Sequence, residues 1–112
     1  MEKIVERTLL YVFYSELLTK HQREVFEEVV LGDLSYSEAA DSFGVSRQGI
    51  HDLIKRVDRQ LEEYESSLHL VERFLGIRRD VEKIRALNEK EPFLKEDALL
   101  VREICDRILK EL

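Results

Sequence analysis

Between residues 46 and 59 the chain reads SRQGIHDLIKRVDR. Ser46, Arg47, Gln48, His51, Asp52, Lys55, Arg56 and Arg59 are the side chains of this stretch with hydrogen-bonding or ionic chemistry to offer a partner. Placed on a helix at about 100° per residue, Ile50, Leu53, Ile54 and Val57 gather on one side. Gln48, Asp52, Lys55 and Arg59 fall opposite, with Arg47, His51 and Arg56 flanking them. Such a helix buries its apolar side and offers the polar one outward, and the major groove of B-DNA is wide enough to admit it. Arg47 and Lys55 suit guanine O6 and N7, and Gln48 suits adenine N6 and N7. His51 can serve a base edge or a phosphate. Arg56 and Arg59 suit phosphates, which set register without reading sequence. Asp52 is repelled by phosphate unless it accepts from cytosine N4 or pairs with Arg56.

Those side chains need a frame, and the flanking residues supply one. Ser35 with Glu38 forms an S-x-x-E capping box that opens a short helix over 36–43. Gly44 ends it, Val45 fills the turn, and Ser46 caps the next helix. Two helices joined by a short turn containing glycine form a helix-turn-helix. Upstream, Thr19 and Gln22 make a second capping box, starting a helix through about Leu31 with Val25, Phe26, Val29 and Val30 inward. Gly32 then stands where a left-handed C-terminal cap is expected. The capping serines 35 and 46 also place helix N-termini where backbone N–H groups can meet phosphates.

The first segment, about 2–18, contains TLLYVFY and is apolar nearly all round, so it must be covered on more than one side. It is either a central core helix or one shared with a second subunit. From Ile50 an apolar repeat steps through Ile54, Val57, Leu61, Tyr64, Leu68, Val71 and Leu75, the spacing of a coiled-coil seam. Gly76 is the expected break. A further helix follows over 77–87, then the polar run NEKEP, then a last helix over about 94–112. The fold class is therefore all-α: a tri-helical helix-turn-helix core with a long recognition helix over 1–75, and a C-terminal helical appendage over 76–112. The appendage is expected to pack on the core or on a dimer partner.

The bulk numbers agree with one small helical protein of 112 residues, 44% hydrophobic and 38% charged, with four glycines and one proline. One cysteine excludes an internal disulfide framework and, with no signal peptide or long apolar run, leads us to expect a cytoplasmic protein without membrane insertion. Cys105 lies in phase with Val101 and Ile108 and reads as a buried small hydrophobe. His21, His51 and His69 lack the spacing of a metal site, and no nucleotide-cradling or hydrolase motif occurs. We expect no cofactor, no metal and no enzyme. Tyr11, Phe13, Tyr14 and Phe74 read as core or interface aromatics, not as platforms for bases.

The stretch LTKHQREVFEEVVLGDLSYSEAADSFGVSRQGIHDLIKRVDRQLE, residues 18–62, resembles region 4 of sigma factors, which reads promoter DNA. More closely, LYVFYSELLTKHQ, LGDLSYSEAADSFGVSRQGIHDLIKR and LEEYESSLHL resemble the YlxM family of small bacterial helix-turn-helix proteins over most of 9–75. The resemblance implies a homodimeric, all-helical regulatory protein. Genes of that family typically lie beside those of the signal recognition particle, which implies a part in co-translational targeting. It places Ser46, Arg47, Gln48, His51, Asp52, Lys55 and Arg56 at recognition-helix positions. Gly49 and His51 depart from the alanine and tyrosine expected there, and glycine in a helix costs up to about 1 kcal/mol.

Charge opposes the DNA reading: the net charge is −6, whereas DNA-binding domains are commonly basic. The distribution softens the conflict, because residues 35–59 hold four acids and four bases. With about two to four phosphate contacts per subunit, binding would be modest and salt-dependent. Two other readings stand beside DNA binding: an accessory that contacts the RNA or GTPases of the signal recognition particle, and a dimeric protein-interaction adaptor.

Overall fold

Three helices of this structure, a computed structural model describing residues 2–112, start at side chains that cap them. Helix α2 (Lys20–Phe26) opens with Thr19 Oγ1 accepting from the Gln22 N–H at 3.1 Å, while Gln22 Oε1 accepts from the Thr19 N–H at 2.9 Å. Helix α3 (Tyr36–Phe43) repeats the box with Ser35 and Glu38 at 3.0 and 3.2 Å. Helix α4 (Arg47–Leu68) begins with Ser46 Oγ accepting from the Gly49 N–H at 2.9 Å. Each bond satisfies a donor that the first helical turn would otherwise leave without a partner. Helix α1 (Lys3–Tyr14) precedes them, and helices α5 (Leu70–Glu89) and α6 (Lys95–Glu111) follow. The fold is all-α, with a helix-turn-helix formed by α3 and α4.

The turn between α3 and α4 is set by Gly44, at φ 68° and ψ 34°, a left-handed conformation that glycine adopts without strain. The Val45 N–H returns to the Ala40 carbonyl at 3.1 Å and closes the turn. Ala39 and Ala40 are buried, and their small side chains let α3 lie close against α4. Beneath α4, Ile50, Ile54, Val57 and Leu61 are all buried, packed on by α1, α2 and α3 of the same chain. Val25 and Phe26 from α2 and Leu10, Tyr11 and Tyr14 from α1 complete this core.

Three sequence expectations are corrected. Gly32 does not carry the left-handed cap: its φ is −98°, and Asp33 takes the positive φ of 57° instead. The end of α2 widens into a π turn over Glu27–Leu31, and the Gly32 N–H donates to the Glu27 carbonyl at 2.8 Å. Glycine is still required there, because an added Cβ would stand 2.8 Å from the Glu28 carbonyl oxygen. Second, the apolar repeat is not one seam through Leu75. Its first half is consumed by the core just described, and Leu68 is exposed. Helix α4 ends at His69, which adopts φ 56°, and α5 then runs through Gly76 without a break. A glycine inside a helix costs only about 1 kcal/mol, so it need not end one.

The third correction concerns Cys105, which is exposed. The chain separates into two units, residues 1–69 and 70–112, and in the second α6 packs on α5. A single partner helix covers one narrow stripe, and the stripe of α6 is Asp97, Val101, Ile104 and Ile108. Cys105 falls outside it, as do the exposed Leu99, Leu100 and Leu109. No described helix is long and apolar enough to cross a membrane.

One ion pair ties α5 to α6, and a second ties the residue after α5 to α6. Arg107 donates to both oxygens of Asp80 at 3.2 and 2.7 Å, a bidentate pair. Lys90 Nζ lies 3.0 Å from each oxygen of Asp97, which also accepts from the Leu94 N–H at 2.9 Å. Leu94 has no side-chain acceptor, so only this return half of a capping box exists. The Arg107 guanidinium holds Asp80 below the usual carboxylate range, and the Leu94 N–H with Lys90 does the same for Asp97. A carboxyl whose folded pKa is depressed stabilises fully above its unfolded value of about 3.9 and loses that contribution as pH falls further. We therefore expect amides of α5 and α6 to lose hydrogen-exchange protection progressively below about pH 4. Asp97→Asn should show weakened protection already at pH 7. Protection in the variant equal to wild type at both pH values would refute this coupling.

Candidate nucleic-acid interface

The recognition helix owes its orientation to its underside. With Ile50, Ile54 and Val57 pinned inward, all eight side chains singled out above stand at the surface: Ser46, Arg47, Gln48, His51, Asp52, Lys55, Arg56 and Arg59 are exposed. Four bases and two acids, Asp52 and Asp58, lie between 46 and 59, so this face is locally positive. Residues 70–112 hold ten acids and ten bases, which puts the whole net charge of −6 on residues 1–69.

Both acids of that face are engaged. Gln48 Nε2 donates to Asp52 Oδ1 at 2.9 Å, and His51 Nδ1 lies 3.7 Å from the same oxygen. Asp52 thus takes Gln48, one turn before it, and the adjacent His51, not Arg56. Asp58 accepts from Arg7 Nε and Nη2 at 3.1 and 2.9 Å, a bidentate pair across 51 positions of sequence. A nucleic acid meeting this face competes with Asp52 for Gln48 but finds Asp58 already neutralised.

The structure adds residues that periodicity alone does not reach. Tyr36, the first residue of α3, sets its ring edge-on to His51 with centroids 5.8 Å apart. On one side of this Tyr36–His51 wall lies a concavity of about 460 Å³ lined with Arg47 and Gln48. On the other lies a smaller one of about 250 Å³, which includes Lys3, Arg7, Lys55 and Asp58. Tyr36 follows Ser35 in the capping box and was within reach of sequence reading; the approach of Lys3 and Arg7 was not, because it depends on how α1 crosses α4. Tyr11 and Tyr14 are buried, with Tyr11 stacked on Phe26 at 4.9 Å, as core aromatics. The Tyr11 hydroxyl donates to Glu27, and burial with that carboxylate raises its pKa. Among the described residues, no group of three or more His, Cys, Asp or Glu is arranged to hold a metal ion.

Gly49 sits at the third position of α4, beneath its cap. An added Cβ would stand 3.1 Å from Ser46 Oγ and 3.9 Å from the Val45 Cβ. Alanine gains up to about 1 kcal/mol of helix propensity there, and the Ser46 hydroxyl needs to yield only a few tenths of an ångström. Gly49→Ala is accordingly expected to raise the thermal midpoint by about 2–4 °C. A lowered midpoint would mean the serine cap is displaced.

Comparison with known proteins places this geometry in context. Residues 1–101 match the family model described as "Putative helix-turn-helix protein, YlxM / p13 like". Relatives include the UPF0122 proteins of Bacillus thuringiensis (strain Al Hakam), Bacillus mycoides (strain KBAB4) and Bacillus anthracis (strain A0248). Each is 38% identical over 108 residues, spanning 96% of this chain and 98% of the relative.

Proposed function

Because the chain belongs to the YlxM/p13-like helix-turn-helix family, we propose that it is a regulatory protein that binds duplex DNA through the exposed face of α4. The observation that carries this reading is the outward, locally positive face of 46–59, held by the buried Ile50, Ile54 and Val57 beneath it. Arg47, Gln48 and Lys55 read base edges in the major groove, and Arg56 and Arg59 contact phosphates. Ser46 keeps the helix N-terminus open toward the backbone. Anisotropy of a labelled duplex at 50 and 200 mM salt tests it: two to four phosphate contacts predict a loss of affinity of about 10- to 150-fold across that range for one subunit, and about 150-fold or more for a dimer that doubles them. No binding at 50 mM salt would end this reading.

The protein works as a homodimer in this proposal. Ile4, Val5, Val12 and Leu17 remain exposed at 48, 46, 66 and 54% around the first helix and its 3₁₀ extension, an apolar surface fit for a second copy. Doubling the phosphate contacts offsets the acidity of residues 1–69. Light scattering at tens of micromolar is expected to give twice the chain mass, and a monomer would contradict it.

The same acidity supports a second reading, an accessory of the signal recognition particle that contacts its RNA or GTPases, since protein partners tolerate an acidic surface better than DNA does. Retention of the chain by particle components, with no duplex binding at 50 mM salt, would favour it; retention of nothing would remove it.

A further inference from the structure

The smaller concavity beside the Tyr36–His51 wall joins two helices that sequence reading kept apart. Lys3 and Arg7, one turn apart on α1, line it together with His51, Lys55 and Asp58 from α4. Asp58 is its one carboxylate, and that charge is already taken by Arg7. Arg7 is not a loose surface cation. Asp58 fixes its Nε and Nη2, and its guanidinium carbon lies 5.7 Å from the centroid of the buried Phe26 ring. The fork is therefore held in one orientation by Asp58, the positioning residue, and among the described residues Nη1 makes no hydrogen bond.

Lys3, Arg7 and Lys55 against Asp58 leave the cleft with a surplus of positive charge before His51 is counted. An anion bearing several acceptor oxygens fits such a site, because lysine offers rotatable donors and a fixed guanidinium offers a planar pair. The cleft shares its wall with the concavity that holds Arg47 and Gln48, so an anion bound here is a neighbour of the residues proposed to read bases. We infer that this cleft receives a backbone phosphate of the duplex, and that α1 thereby clamps the strand flanking α4. The inference rests on the DNA reading above and adds Lys3 and Arg7 to the interface.

A phosphate contact reads no sequence, so its test needs no operator. The full chain is titrated into a labelled duplex of about 20 base pairs between 50 and 200 mM sodium chloride, and the slope of log K against log salt is taken. Each lost phosphate contact lowers the slope by about 0.9. Lys3→Ala, at an exposed position on α1, should lower it by about that amount and Lys3→Glu should weaken binding further, while Lys110→Ala on α6 leaves both slope and affinity unchanged. Arg7→Lys retains the cation but gives up the bidentate pair, and should weaken affinity several-fold with the slope retained. If Lys3→Ala and Lys3→Glu keep the wild-type slope and affinity while Arg59→Ala loses its share, DNA lies on α4 alone and the clamp is refuted with the DNA reading intact. If wild type binds no duplex at 50 mM, both fall together. A thermal midpoint raised by 10 mM inorganic phosphate at fixed ionic strength, lost in Lys3→Ala and accompanied by an unchanged slope, would assign the cleft to a free anion and overturn the clamp.

Discussion

Phe26→Ala is expected to remove about 3–5 kcal/mol of folding free energy, the range for truncating a buried aromatic side chain. Phe26 is wholly buried at the end of α2, stacked on Tyr11 with ring planes 15° apart. Its far surroundings include the guanidinium of Arg7 at 5.7 Å. Alanine leaves a void where the underside of α4 meets α1 and α2, and neighbours this rigidly interlocked collapse only partly. Domains of this size are stable by about 5–15 kcal/mol, so the loss is a large share of the total. The effect should appear as a lowered urea midpoint and as faster hydrogen exchange at Ile54, Val57 and Leu61. Phe26→Leu, which keeps most of the volume, should cost about 1.5 kcal/mol or less. A loss below about 1 kcal/mol in Phe26→Ala would show that the core refills, and that α4 is not held as described.

The second large effect is on binding. Replacing Arg47 and Lys55 together by alanine removes one exposed cation from each side of His51. Surface substitutions of this kind usually change stability by about 0.5 kcal/mol or less, so folding is preserved. A base-edge arginine and a second cation contribute about 1–2 kcal/mol each, which together correspond to at least about a 30-fold loss of duplex affinity at 50 mM salt. The salt slope should also shrink, because fewer counterions are released. Arg47→Ala alone should relax discrimination among sequences, whereas Arg59→Ala should weaken all duplexes alike. An unchanged affinity in the double variant would take the nucleic acid off this face.

Much of this architecture could be read from local chemistry. Three caps, Thr19, Ser35 and Ser46, each act through a hydroxyl and a residue three positions on, so spacing alone reveals them. The same holds for Gly44, whose left-handed conformation follows from its place between two periodic segments. The polar face of 46–59 was legible because a helix with a strict apolar stripe has only one way to turn. What escaped was decided by distant partners or by residues with a choice. The C-terminal end of α4 is a histidine in a conformation that usually marks glycine, while the nearby Gly76 stays helical. Gly32 is demanded by a carbonyl that approaches only after the helix widens. Cys105 shares a period with Val101 and Ile108, yet burial follows Ile104 because α5 covers one edge of α6. Arg7 and Asp58 meet over a separation that no periodicity encodes.

Of the two acids on the proposed interface, Asp58 is neutralised by Arg7 of α1, and Asp52 accepts from the Gln48 amide of α4 itself. Long-range repulsion then lowers affinity, while the local field at α4 still selects the docking surface.

That field leads to the most direct test. Amide chemical shifts of the ¹⁵N-labelled chain, followed as a duplex is added at 50 mM salt, report which residues meet it. The account predicts perturbations concentrated at 46–59 of α4, with α6 unmoved. Perturbations confined to α6, or a titration that leaves 46–59 silent while duplex binds, would contradict it.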